Sequence, residues 1–384
     1  MREVYIVGIG QTPVQEHWDR SARDLAADSM LQAMDQAGID KADAIYVGNA
    51  LSGELTGQEQ VAALVADFAG LTGTEAVRFE AAGASGGAAV RWGYLAVASG
   101  VHDTVLVTGV EKMSDLPGPA VEEALVTSTD EEYEAIHGLT LVALHALLMR
   151  RYMYDYDLER RDFAHFSVNA HRNAVNNPCA MYRRPISMQA FEKAKLVADP
   201  ISLLDSAPAA DGAATVILCS ADVARATAGS FVEIIGSALA TDAVALHDRP
   251  NPLFLRAAHE SAQKAYAQAG VGPQEIGVFE LHDAFTILAA LSLEACGFAG
   301  EGQGVRLAME GEITLEGRIP ICTMGGLKAR GYPMGASGVY QIVELVQQLR
   351  GEAGANQVQA RLGMAQSVGG TGGTAVTHIL RAPH

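Results

Sequence analysis

The sequence predicts an α/β fold built of two similar halves, and three observations predict it. Short apolar, strand-like runs alternate with longer helix-like ones. The helix-like runs stop at glycines suited to a left-handed C-cap, Gly38, Gly100 and Gly270. The second half of the chain then repeats the grammar of the first. In order, Val4–Gly8 reads as a buried strand, Ala22–Ala37 as an amphipathic helix, and Ala44–Val47 and Ala76–Glu80 as strands; Gly86–Ser99 is a helix and Thr104–Thr108 a strand. After a boundary near Ser220–Ser230 come a strand at Phe231–Ser237, a helix at Asn251–Gln268, a strand at Gly277–Leu281 and helices at Ala284–Cys296 and Val339–Leu349; the strand Ala375–Leu380 ends the chain. The expected organisation is an N-terminal half, residues 1–225, and a C-terminal half, 226–384.

Composition bounds the function. At 384 residues the chain has ample length for a large core, and 49% hydrophobic with 19% charged residues is a globular profile. Lys and Arg number 27 against 45 Asp and Glu, a net charge of −18, which argues against nucleic-acid and anionic-membrane partners. No apolar run approaches the roughly 20 residues a bilayer span needs. Met1-Arg2-Glu3-Val4 opens directly onto a strand, so a cytoplasmic protein is expected. The four cysteines form no Cys-x-x-Cys pair and the histidines have no ligand spacing, so no metal is expected.

A segment of about residues 113–200 departs from the alternation. From Arg150 to Lys195 it holds nine basic and five acidic residues, one third of the Lys and Arg of an acidic chain. It reads either as a solvated helical excursion or as a surface that receives an anionic, phosphorylated ligand.

Several motifs carry chemistry. Val7-Gly8-Ile9-Gly10-Gln11-Thr12-Pro13 starts like a dinucleotide fingerprint but has proline where the third glycine belongs. Gly83-Ala84-Ser85-Gly86-Gly87 matches a nucleophile elbow between a strand and a helix, which keeps a serine hydrolase using Ser85, with His378 or His282 as base, among the alternatives. Glu280-Leu281-His282-Asp283-Ala284-Phe285-Thr286 puts a His-Asp pair at a strand–helix corner. The loop from Gly325 to Gly338 is glycine-dense, with Tyr332 as the large polar side chain at its centre, and Gly369-Gly370-Thr371-Gly372-Gly373 is a further glycine turn.

On these segments, together with Asn177-Pro178 through Pro200 and Asp211-Gly212-Ala213-Ala214, the chain resembles the thiolase superfamily, in particular the sterol-carrier-protein-type and archaeal-type thiolases, from Met1 to His384. The ordered run Gly-Gly-Leu-Lys-Ala-Arg-Gly-x-Pro-x-Gly-Ala-x-Gly is specific to that superfamily. The resemblance implies a five-layered αβαβα sandwich of two duplicated halves with a loop domain inserted at about 113–200. It further implies a homodimer and an acyl-CoA substrate, with no other cofactor. Arg183, Arg184, Lys195 and Lys328 become the expected CoA or substrate contacts. Archaeal-type thiolases also imply a small separate partner, an OB-fold with a zinc ribbon, in a heterotetramer.

The departures from that pattern change the expected reaction. Thiolytic relatives have a cysteine nucleophile where this chain has Gly83, a histidine where it has Tyr332, and an asparagine where it has Cys322. Without a thiolate at 83 no acyl-enzyme forms there. Tyrosine in the Gly-Tyr-Pro position resembles the lipid-transfer-protein-type retro-aldolases of steroid side-chain degradation. Retro-aldol cleavage of a β-hydroxyacyl-CoA to a ketone or aldehyde plus a shortened acyl-CoA is therefore the expected function. In it Tyr332 serves as base, its pKa lowered by Lys328 and Arg330; His282 donates or relays the proton, and backbone at Gly83 and Gly372 steadies the enolate oxygen. The alternatives are a catalytically silent acyl-CoA-binding subunit, an acetyl-CoA acetyltransferase-type thiolase with Cys322 as a relocated nucleophile, and the Ser85 hydrolase.

Overall fold

The computed structural model describes residues 2–227 and 229–383. Its strands are β1 (Val4–Gln11), β2 (Ala44–Gly48), β3 (Glu75–Phe79), β4 (Thr104–Glu111), β5 (Leu196–Ala198), β6 (Ile201–Ser202), β7 (Gly212–Ser220), β8 (Val232–Thr241), β9 (Val278–Glu280), β10 (Leu362–Gly369) and β11 (Thr374–Arg381). β5 and β6 pair as a small hairpin; the others form one mixed sheet in the order β3-β2-β4-β7-β1-β8-β11-β10-β9. In the first half β2 runs parallel to β3 and β4, and β7 antiparallel to β4 and β1. The second half has the same wiring: β9 is parallel to β10, and β11 antiparallel to β10 and β8. A parallel bridge from Phe279 to Ile321 stands where β3 would pair. The halves join where Tyr5 and Ile6 of β1 face Glu233 and Val232 of β8.

Helix placement turns this sheet into layers. The helices Ser85–Ser99 and Ser337–Arg350 touch strands of both halves and each other, so they form the middle layer. The helix Ala22–Ala37 covers β1, β4 and β7, and Arg256–Ala269 covers β8 and β11, which completes the αβαβα order. The middle layer depends on absent side chains: a Cβ at Gly338 would lie 2.3 Å from the Gly87 nitrogen. Burial almost all round the helix Ser337–Arg350 is what a helix enclosed between the two halves of the sheet requires.

Local chemistry explains most boundaries. Ser21 caps the helix Ala22–Ala37 in a reciprocal box with Asp24, and Gly38 ends it at φ 63°. The helix expected from Asn251 starts at Arg256, because Asn251 Oδ1 accepts the Leu253 N–H and holds a turn ahead of it. β7 and β10, not predicted as strands, are almost wholly buried and so lack the alternation that marks half-exposed strands. Residues 113–200 form helices including Gly118–Val126, Leu141–Tyr156 and Ala164–Ala174; the last two pack on the helix Thr286–Ala295, and Ala164–Ala174 also packs on the Gly326–Arg330 turn. No helix among the described residues is long and apolar enough to cross a membrane.

One carboxylate ties the halves together. Glu111, at the end of β4 and fully buried, accepts from Asn49 Nδ2 (2.9 Å), the Ala50 and Leu51 amides (2.9 and 3.1 Å) and the Gly335 amide (2.8 Å) in the Tyr332 loop. Burial raises its pKa while the backbone donors lower it. Glu111→Gln keeps the shape but aims an amide donor at those donors. It is expected to lose about 3 kcal/mol of stability, on the scale of a broken charge-assisted network, read by denaturant unfolding; an unchanged midpoint would show that the carboxylate is dispensable.

Candidate active site

Four chain segments converge at the ends of β3, β9 and β10. The Ala82–Ala84 turn before the helix Ser85–Ser99 brings Gly83; the corner after β9 brings His282 and Asp283; the Gly325–Gly338 loop brings Lys328 and Tyr332; the turn between β10 and β11 brings Gly369–Gly373. Tyr332 is held by its amide, which donates to Pro208 O at 3.0 Å, and its Oη lies 3.3 Å from His282 Nε2, the rings edge to face. A Cβ on Gly83 would stand 2.6 Å from Tyr332 Oη, 2.6 Å from Val368 O and 3.0 Å from His282 Cε1. The volume that a side chain at 83 would take is therefore occupied by the phenol, and glycine at 83 is the condition for Tyr332 to sit there.

Burial sets the charge states. It pushes the Tyr332 phenol well above its ordinary value, helped by the Glu111 charge, and it holds His282 down to about 3, with His145 and Arg330 adding to the shift. Both groups are neutral near pH 7. The cations expected to lower the Tyr332 pKa are engaged elsewhere. Arg330 pairs with Glu344 at 2.9 Å and lies over the Tyr340 ring, while Lys328 Nζ donates to Asp205 O at 2.5 Å. Burial brings Lys328 down to about 8, against the pull of Asp283 and Asp205. Tyr332 is thus a neutral phenol rather than a resident phenolate.

The alternative nucleophiles fare poorly. Ser85 Oγ accepts the Ala81 amide at 2.9 Å and donates to Ala82 O at 2.6 Å, closing its own turn. His378 Nε2 meets Gly87 O, and His282 meets Tyr332, so neither expected base faces Ser85. Cys322 is buried, its Sγ 3.9 Å from Leu281 O, and desolvation with the Asp283 and Glu280 charges keeps the thiol protonated. The Gly372 amide, expected to face an enolate, donates to Gly369 O at 3.0 Å inside its own turn. Arg249, which the sequence reading missed, fixes that turn through Thr371 O at 2.8 Å and Thr371 Oγ1 at 3.1 Å.

A cavity of about 510 Å³ reaches Tyr332, with His282 behind the phenol and outside the lining. Tyr332 and Lys328 are among its polar walls, and Leu125, Leu141, Val142 and Phe285 among its apolar ones. Arg183 and Arg184 follow the lining residue Tyr182, Lys195 lies two residues before the lining Val197, and all three cations are exposed. His145 was also missed: it is fully buried, and its ring stacks on Phe285 at 4.1 Å between centroids. A lone histidine inside a helical apolar stripe gives no sequence signal.

Comparison with known proteins fits this geometry. Residues 4–222 match the thiolase N-terminal domain and residues 238–382 the thiolase C-terminal domain-like family. The acetyl-CoA acetyltransferase of Methanothermobacter thermautotrophicus is 45% identical over 382 residues, 99% of each chain. That of Methanocaldococcus jannaschii is 38% identical over 390 residues, again 99% of each. Among solved structures, the Ltp2-ChsH2(DUF35) aldolase superposes with a TM-score of 0.85 at 25% identity, covering 99% of this chain and 98% of that one. The two acetyltransferases overturn the retro-aldol expectation: full-length likeness at 45% and 38% outweighs the aldolase likeness at 25%. The physical ground is consistent, since the expected Tyr332 base lacks the cation that would ionise it.

The coupling of positions 83 and 332 is measurable. Gly83→Ala is expected to destabilise the chain by about 1–3 kcal/mol through overpacking. Part of that loss should disappear when Tyr332→Phe removes the nearest atom, giving a coupling of at least about 0.5 kcal/mol in a double-mutant cycle. Additive losses would mean that the phenol does not occupy the side-chain volume of residue 83.

Proposed function

The chain belongs to the thiolase family, and we propose that within it this protein is an acyltransferase acting on CoA thioesters that transfers the acyl group directly, without an enzyme-bound thioester. The observation that carries the reading is an apolar cavity walled in part by Tyr332, whose hydroxyl lies 3.3 Å from the buried, neutral His282, with glycine at 83, where the family's nucleophile would stand. In the thiolytic direction the sulfur of CoA attacks the ketone carbon of a 3-ketoacyl-CoA. The bond between the ketone carbon and the α-carbon then breaks, its electrons form the enolate of the departing thioester, and that α-carbon takes up the proton lost by the thiol. Atoms balance as one shortened acyl-CoA and one acetyl-CoA. Tyr332, the member of the pair that lines the cavity, passes the proton through its hydroxyl to and from His282 Nε2.

Acetoacetyl-CoA with CoA is the test substrate pair. Initial rates are expected to follow a sequential pattern with intersecting lines, and [¹⁴C]acetyl-CoA is expected to leave no label on the denatured chain; parallel lines with label on Cys322 would instead establish an acyl-enzyme. Tyr332→Phe removes only the hydroxyl, so kcat is expected to fall about 10²-fold or more with thermal stability nearly unchanged.

The exposed cations Arg183, Arg184 and Lys195 suit the phosphates of CoA, in line with their place beside Tyr182 and Val197. Changing all three to Ala should raise KM for CoA several-fold and leave kcat within about twofold; a kcat loss at constant KM would place the phosphates elsewhere. A second reading, an acyl-CoA-binding subunit without turnover, is favoured by the phenol standing in the nucleophile's volume. Acetoacetyl-CoA binding by calorimetry with no thiolysis, even with a small OB-fold/zinc-ribbon partner co-expressed, would select it. We propose such a partner because the Ltp2-ChsH2(DUF35) aldolase carries two names and is similar over nearly its whole length.

A further inference from the structure

Two imidazole nitrogens at the buried back of the site have no hydrogen-bond partner among the described residues: His282 Nδ1 and His145 Nε2. Both rings are essentially inaccessible, 2% and 0% exposed. A buried polar atom left alone costs about 1–3 kcal/mol, so two in one place ask for an explanation.

Their protonation states can be read from the partners they do have. His145 Nδ1 lies 2.8 Å from the carbonyl of Leu141, one turn earlier in the helix Leu141–Tyr156, and only an N–H can be satisfied there. Burial keeps the ring neutral, its pKa down to about 4, so Nε2 carries a bare lone pair. At His282 two arrangements are open. If Nε2 were protonated and donated to Tyr332 Oη, the phenol proton would lose this acceptor and Nδ1 would be a second orphaned acceptor beside that of His145. If the phenol donates to Nε2, the neutral ring must carry its proton on Nδ1, and that orphan is a donor. The second arrangement makes the two orphans complementary, one N–H and one lone pair. His145 is stacked on Phe285, three residues beyond His282 in the same corner, which places the two rings at the same end of the site. The other charged groups felt at His145, Arg249 and Lys328, offer donors only.

We propose that His145 is a positioning residue whose Nε2 accepts the Nδ1–H of His282 during turnover, holding His282 in the tautomer that keeps Nε2 free to receive the Tyr332 proton. This extends the acyl-transfer reading, since it gives His282 its role from that reading. It also accounts for a histidine on the stripe of the helix Leu141–Tyr156 whose neighbours Leu141 and Val142 line the cavity: the ring packs as an apolar plate against Phe285 and offers one acceptor inward.

The test reads the tautomer itself, on the full chain labelled with ¹⁵N-histidine and with the His282 signals assigned by their loss in His282→Gln. Wild type is expected to show a protonated Nδ1 and a bare Nε2. His145→Phe keeps the stacked plate and removes the acceptor, so the His282 signals should move toward the opposite tautomer or an average, while the melting temperature holds or rises because an orphan has gone. His145→Gln, whose amide oxygen reaches the Nε2 position, should keep the wild-type pattern, and His145→Asn, which reaches only the Nδ1 position, should not; this pair serves if the Phe variant fails to fold. With acetoacetyl-CoA and CoA, kcat should fall at least tenfold in His145→Phe and recover in His145→Gln, at similar KM. A His282 tautomer that is already Nε2-protonated in wild type, or that does not respond to His145→Phe and His145→Asn, overturns the proposal whatever the turnover. A tautomer that responds in a wild-type chain without thiolysis overturns the acyl-transfer reading and leaves the His145–His282 contact standing.

Discussion

The arrangement of the site depends on one buried carboxylate. Glu111 ends β4 of the first half, yet it takes the Gly335 amide from the loop that the second half sends across. The 49–51 turn supplies its other donors, so a single side chain sets the spacing between β2, β4 and the Tyr332 loop. An unpaired carboxylate here would be intolerable, and one with four donors is a fixed point. Its negative charge also reaches Tyr332 and adds to the burial that keeps the phenol protonated. The group that builds the site thus helps decide its proton inventory.

The same logic recurs around it. Asp283 takes the Leu327 amide at 2.7 Å, and Asp211 takes the Met113 and Ser114 amides along with Lys112 Nζ. Each of these carboxylates replaces regular structure with a local anchor where the chain leaves the sheet. Loops held this way are rigid enough for glycine-level tolerances, such as the close approach of Gly338 to Gly87. That rigidity explains why the phenol and residue 83 compete for one volume rather than sharing it.

The chemistry left to the site is that of neutral groups. Burial disfavours the phenolate of Tyr332 and the imidazolium of His282 alike, so neither stores a charge between steps. Such a pair suits a proton that is taken and returned within one turnover, as the direct transfer we propose requires. Cys322 shows the converse: a thiol among buried carboxylates is driven away from the thiolate a nucleophile needs.

Much of this was already in the chain's order of residues. The alternation of strand and helix, the glycine stops and the Gly325–Gly338 loop predicted the layered α/β fold, because each rests on local backbone preference and a single periodicity. His282 and Tyr332 stood out within their motifs, but that they share one site with Gly83 was implied only by the resemblance to thiolases. β7 and β10 were not, since burial on both faces erases the alternation that identifies a strand. The reaction was misread because a tyrosine beside Lys328 and Arg330 in sequence looks like a tyrosine beside two cations. Only the fold turns those cations toward Asp205 and Glu344. Arg249, Glu111 and His145 were invisible for a related cause. Their roles come from partners 122, 224 and 140 residues away in the chain, at Thr371, Gly335 and Phe285, and no local pattern encodes a contact of that kind.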